Sequence, residues 1–140
     1  MMLPAQAGGI FYGRDLRQMK PMASMTAART LLLTSPNDVV VLAQTGTGKT
    51  AAFGLPLVED IDPQERNVQA LVLAPTRELC VQITADFERF STHLKGVKPV
   101  AVYGGANIRE QIRDIQRGAN IVVATPGRLL DLLGRKAVDL

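Results

Sequence analysis

The chain has 140 residues, of which 46% are hydrophobic and 21% charged, enough for one domain with a buried core and too few for two. Its longest apolar run, residues 39–43, falls far short of the ~20 residues that cross a bilayer, and a single cysteine excludes an internal disulfide. The net charge of +3 is uneven: Arg14, Arg17, Lys20 and Arg29 face only Asp15 in residues 1–35, whereas twelve bases balance twelve acids in residues 36–140.

The opening, "MMLPAQAGGIFYG", lacks the basic start and continuous apolar middle of a secretory signal. With the lone Cys80, this predicts a reducing, cytoplasmic location and no membrane partner. All five methionines (Met1, Met2, Met19, Met22, Met25) lie in residues 1–30, which marks that stretch as an atypical basic, methionine-rich leader before a domain at 31–140. The leader reads as poorly ordered at first and helical over about 21–33.

Residues 39–42 (VVVL) read as a strand, 43–48 (AQTGTG) as a turn, and 49 to about 58 as a helix. A glycine-rich turn between a strand and a helix points backbone amides at one spot, and the helix N-terminus adds partial positive charge there. That spot suits phosphate. Lys49 would reach the β- and γ-phosphates and the Thr50 hydroxyl would ligate Mg²⁺, making these two the candidate catalytic residues. Ala43 stands where the strict phosphate-loop pattern has glycine.

Further valine-rich runs at 70–74, 100–103 and 121–124 read as strands buried on both faces. Helical patterns fall between them: 77 to about 94, 108–116 with Ile108, Ile112 and Ile115 on one face, and one starting near Pro126. Alternating strands and helices predict an α/β fold with a mainly parallel sheet and ligands at the carboxyl ends of its strands. On the second helix Leu79, Cys80, Ile83, Phe87, Phe90 and Leu94 share a helical spacing, so Cys80 reads as buried filler. His93 has no partner for a metal.

Three turns lie at such strand ends: "APTREL" (74–79), "YGG" (103–105) and "TPGR" (125–128). Thr76 and Thr125 can cap helices, Pro126 suits a first helical position, and Arg77 and Arg128 add full charges. Gly104 and Gly105 leave the backbone bare. Each turn alone also reads as an ordinary helix cap. Together with "AQTGTGKT" they resemble the first RecA-like domain of the DEAD-box ATP-dependent RNA helicases, from about Leu31 to Leu140.

That resemblance implies a P-loop NTPase, RecA-like, three-layer α/β sandwich, incomplete at its C-terminus. It implies that Gln44, Thr45, Gly46, Thr47, Gly48, Lys49 and Thr50 hold ATP with Mg²⁺. It also implies that Pro75, Thr76, Arg77, Gly104, Gly105, Thr125, Pro126, Gly127 and Arg128 line a track for single-stranded RNA, with single-stranded or duplex RNA as the partner. Asp131, three residues beyond Arg128, either orients that arginine or faces water. Arg109, Arg113 and Arg117 form a stripe, but Glu110 and Asp114 alternate with it, which favours a solvated face. The acidic stretch 59–65 reads as a turn.

Two departures stand out. The family's Pro-x-Pro-x-Gln element, whose glutamine bonds adenine, aligns with "PMASM" (21–25), and Met25 cannot make that bond. The family's Asp-Glu-Ala-Asp strand, its Ser-Ala-Thr element and its second helicase domain are not among the 140 residues. The expectation is a part of an RNA helicase that alone neither hydrolyses ATP nor unwinds RNA. The alternatives are a non-catalytic nucleotide- or RNA-binding fragment, or another P-loop NTPase such as a DNA-translocating motor, against which "PTREL" and "TPGR" argue.

Overall fold

The structure, a computed structural model, describes residues 10–13, 20–22, 40–42 and 48–138. They belong to two compact units, Met1–Pro56 and Leu57–Leu140. In the first, β1 (Ile10–Gly13), β2 (Lys20–Met22) and β3 (Val40–Leu42) form a sheet in the order β2-β1-β3. Both pairings are antiparallel, with Phe11 opposite Pro21 on one side and Leu42 on the other.

This corrects two expectations. The leader is not poorly ordered at 10–13, where Ile10, Phe11 and Tyr12 have the branched and aromatic side chains that favour strands. Pro21 and Met22 do not start a helix: they lie in an edge strand, where a proline's missing N–H need not break a ladder. The rest of the predicted 21–33 helix, from residue 23, lies outside the described residues. The strand predicted at 39–42 is present as β3, but its partner β1 runs antiparallel to it. α1 (Lys49–Asp60) then carries the chain into the second unit, continuing through Pro56.

The second unit has the predicted parallel sheet. Its strands, β4 (Ala70–Leu73), β5 (Pro99–Val102) and β6 (Ile121–Ala124), stand in the order β4-β6-β5. Leu73, Ala124 and Val102 are in register, so all three strands end at one edge. The helices between them are α2 (Arg77–Phe90) and α3 (Ile108–Gln116), with α4 (Pro126–Gly134) after β6. The central strand β6 is fully buried on both faces. Val122 and Ala124 point into a cluster with Ile115, Leu129 and Leu132, and strand alternation sends Ile121 and Val123 to the other face. α2 packs on β5 and β6 through Cys80, Ile83, Thr84 and Phe87.

β4 departs from the expectation of burial on both faces, because Leu71 and Leu73 are exposed, the latter by 56%. Within this unit β4 is an edge strand and only β6 pairs with it. α2 also stops at Phe90 instead of reaching 94: Ser91 turns its hydroxyl back onto the Phe87 carbonyl at 2.8 Å, and Leu94 lies beyond, exposed. At the amino ends of the strands, buried Asn120 accepts from the Lys98 amide and donates to the Gly96 carbonyl, both at 2.8 Å. With that end tied, the carboxyl ends carry the turns.

Candidate functional site

In the first unit only the end of the phosphate-loop candidate is described. Gln44, Thr45, Gly46 and Thr47 lie outside the described residues. Gly48 has φ +76°, a left-handed conformation that glycine adopts without strain. Lys49 and Thr50 are the first two residues of α1, Lys49 exposed and Thr50 half-buried, and the Ala52 amide closes the first turn on the Gly48 carbonyl at 3.0 Å. The first turn holds no acidic residue. A glycine-led helix start with a lysine and a hydroxyl and no carboxylate fits a phosphate with its Mg²⁺.

The other nine candidates fall in the second unit, and the sheet brings them together. Register places the turns after β4, β6 and β5 side by side. They are stitched by the Ala74 amide on the Ala124 carbonyl at 2.9 Å and the Thr125 amide on the Val102 carbonyl at 2.8 Å. Pro75, Thr76 and Arg77 follow β4 and are exposed. The Thr76 hydroxyl caps α2, accepting from the Leu79 amide at 3.2 Å, and Glu78 adds a carboxylate to the first turn. Pro126 opens α4 as expected, but Thr125 makes no side-chain capping bond. Gly104 and Gly127 are exposed, with nothing within 4 Å of where a Cβ would sit. Gly105 has φ +85°.

The two arginines differ. Arg77 is exposed and lies over the Tyr103 ring at 4.9 Å. Arg128 is half-buried and turns inward: Nη1 and Nη2 each donate to the Ala106 carbonyl at 3.2 Å, and Nη1 donates to Gln111 Oε1 at 3.1 Å. Asp131 does not orient it. It accepts instead from Arg135 Nε at 2.8 Å, one helical turn away.

Sequence reasoning missed Tyr103 as the platform for Arg77, and it missed Gln111. The signal for the latter was present: a glutamine on the face of α3 that carries Ile108, Ile112 and Ile115. The Arg113 and Arg117 part of the stripe pairs with Glu110 and Asp114 at 3.9 and 3.3 Å in exposed positions, as a solvated face does. Residues 59–65 include the expected turn, closed by Gln69 on Asp62 at 2.8 Å in both directions. Cys80 is fully buried, and burial pushes its thiol pKa up, partly offset by a hydrogen bond with the Val102 backbone. No described helix is long and apolar enough to cross a membrane.

Comparison with known proteins adds ancestry to this geometry. The family model of the DEAD/DEAH box helicases matches residues 23–140. A DEAD-box ATP-dependent RNA helicase, CshA of Streptococcus pneumoniae, is 59% identical over 103 residues, which are 74% of this chain and 20% of that protein. The chain thus spans about a fifth of the length of the curated relatives it matches. A solved structure of a hypothetical ATP-dependent RNA helicase from Sulfolobus tokodaii superposes with a TM-score of 0.68 at 36% identity, covering 82% of this chain and 32% of that one. A DEAD box protein from Methanococcus jannaschii superposes at 0.63 with 43% identity, covering 70% and 26%.

Proposed function

This chain belongs to the DEAD/DEAH box helicase family, and from that premise we propose that it is part of an ATP-dependent RNA helicase. Residues 31–140 serve as part of the first RecA-like domain and residues 1–30 as its leader. In this reading Gln44 to Thr50 hold the phosphates of ATP, with Lys49 on the β- and γ-phosphates and the Thr50 hydroxyl on Mg²⁺. The bound nucleotide supplies the phosphoanhydride whose cleavage drives the family's cycle. The edge formed by Pro75–Arg77, Gly104–Gly105 and Thr125–Arg128 holds the sugar-phosphate backbone of RNA, and the protein works in the cytoplasm.

The observation that carries the RNA half is the convergence of three turns on one sheet edge, with open backbone at Gly104 and Gly127 and the exposed Arg77 after the edge strand β4. Such an edge contacts phosphates and sugars without reading bases. Phosphoryl transfer further needs carboxylates on metal and water and arginines on the γ-phosphate. We assign none of these among the 140 residues, so the 140-residue polypeptide alone binds without turning over or unwinding.

Two titrations test the reading. ADP affinity should fall at least about tenfold, roughly 1.4 kcal/mol, in Lys49→Ala, and equal affinities would remove the phosphate-loop assignment. Affinity for a labelled oligouridylate should fall in Arg77→Gln, with the slope of log K against log salt reduced by about one. An unchanged slope and affinity would remove the RNA edge.

A further inference from the structure

We propose that Gln111 is a positioning residue of this edge: it ties the turn after β5 to the start of α4, so that the two present their backbones as one surface. The consequence for RNA rests on the reading above; the tie itself does not.

Gln111 is 6% exposed, on a helix face otherwise built of isoleucine. A buried amide is costly unless both its ends are bonded. Here both are. Its Nε2 donates to the Tyr103 carbonyl at 3.1 Å, and its Oε1 accepts from Arg128 Nη1 at 3.1 Å. The same guanidinium donates from Nη1 and Nη2 to the Ala106 carbonyl, each at 3.2 Å. Tyr103 and Ala106 flank Gly104 and Gly105, so the two carbonyls on either side of the glycine pair are held, one by Gln111 and one by Arg128. Just beyond, Asn107 caps α3 by accepting from the Arg109 amide at 3.0 Å.

Two adjacent glycines leave a backbone with more freedom than any other pair, and an open surface at Gly104 gives no side chain to restrain it. Pinning both flanks supplies the restraint without covering the backbone that RNA would approach. A leucine at 111 would fill the same space, yet it could satisfy neither the Tyr103 carbonyl nor the guanidinium. The planar fork of arginine suits the other half, because it reaches a carbonyl and an amide oxygen at once. The clasp also commits the charge of Arg128 inward, which leaves Arg77 as the exposed cation of these turns.

The test uses Gln111→Leu and Arg128→Gln in the full 140-residue chain, two variants that open the clasp from opposite sides. Without RNA, the backbone NMR order parameters of residues 104–107 should fall clearly in both, while those of residues 121–124 of β6 keep the parent values. In Gln111→Leu, which lies outside the edge itself, oligouridylate affinity should drop about three- to tenfold with the salt slope unchanged, since no phosphate contact is lost. The double variant should lose no more than the worse single variant, because both remove one unit. Parent order parameters at 104–107 in both variants, or a uniform fall across the unit, would overturn the proposal, and so would a reduced salt slope in Gln111→Leu. A parent that bound no oligouridylate would remove the RNA reading, and the order parameters alone would then decide the clasp.

Discussion

The start of α2 and the start of α4 leave neighbouring parallel strands at the same sheet edge, and each offers a threonine, a proline and an arginine. They deploy them differently. At α2 the threonine caps the helix, a glutamate sits in the first turn and the arginine stays outside. At α4 the threonine makes no capping bond, the proline fills the first helical position, the first turn holds no acid, and the arginine turns inward. An anion meets a side-chain charge at the first and bare amides with an uncompensated helix dipole at the second. Similar residue sets thus give two kinds of contact, and the order of residues around the proline decides which.

The largest expected difference between the two is in stability. Arg128→Gln leaves the Ala106 carbonyl and the Gln111 amide oxygen without the guanidinium they share, at a cost of about 1–3 kcal/mol. Arg77→Gln gives up only an exposed cation–π contact, worth below about 1 kcal/mol. Urea unfolding with equal m-values would measure both. Equal losses would mean that the inward and outward arginines are not distinct.

The glycines between them sharpen the same contrast. Gly105 has φ +85°, so Gly105→Ala should cost about 1–2 kcal/mol through backbone strain alone. Gly104 has open space around its Cβ position and no left-handed angle, and Gly104→Ala should be within about 0.5 kcal/mol of the parent. If Gly104→Ala nevertheless weakened oligouridylate binding, the open backbone would be functional and not merely vacant.

Much of this was legible from the sequence, for physical reasons that differ by element. Strand β6 and helix α3 were found at their observed limits because a branched apolar run and an isoleucine stripe have few other ways to bury themselves. The nine residues that the resemblance implies for RNA fall at one sheet edge because parallel strands in register end together. Gln111 and the Tyr103 platform were not legible, because each works through a long-range contact that spacing does not encode. The same holds for Arg128, whose partners lie 17 and 22 residues away. The antiparallel partner of β3 is not legible because its apolar stretch, 10–12, is short and lies in a segment whose composition reads as a loose leader.

The smallest expected effect separates the two threonines. Thr76→Ala removes a cap bonded at 3.2 Å to the Leu79 amide and should cost about 1 kcal/mol in urea unfolding. Thr125→Ala removes no capping bond, and the Pro126 that follows has no N–H to be left unpaired, so its cost should stay within a few tenths. For RNA the order should reverse. The Thr125 hydroxyl is not committed to its helix and belongs to the residue that precedes the first turn of α4, where a phosphate oxygen could accept from it and from that turn's amides, whereas the Thr76 oxygen is held by the Leu79 amide, which restricts where its O–H can point. Oligouridylate affinity should therefore fall more in Thr125→Ala than in Thr76→Ala, by about two- to threefold, which is a few tenths of a kcal/mol. A larger loss of binding in Thr76→Ala would place the principal backbone contact at the start of α2 and reverse the assignment of the two helix ends.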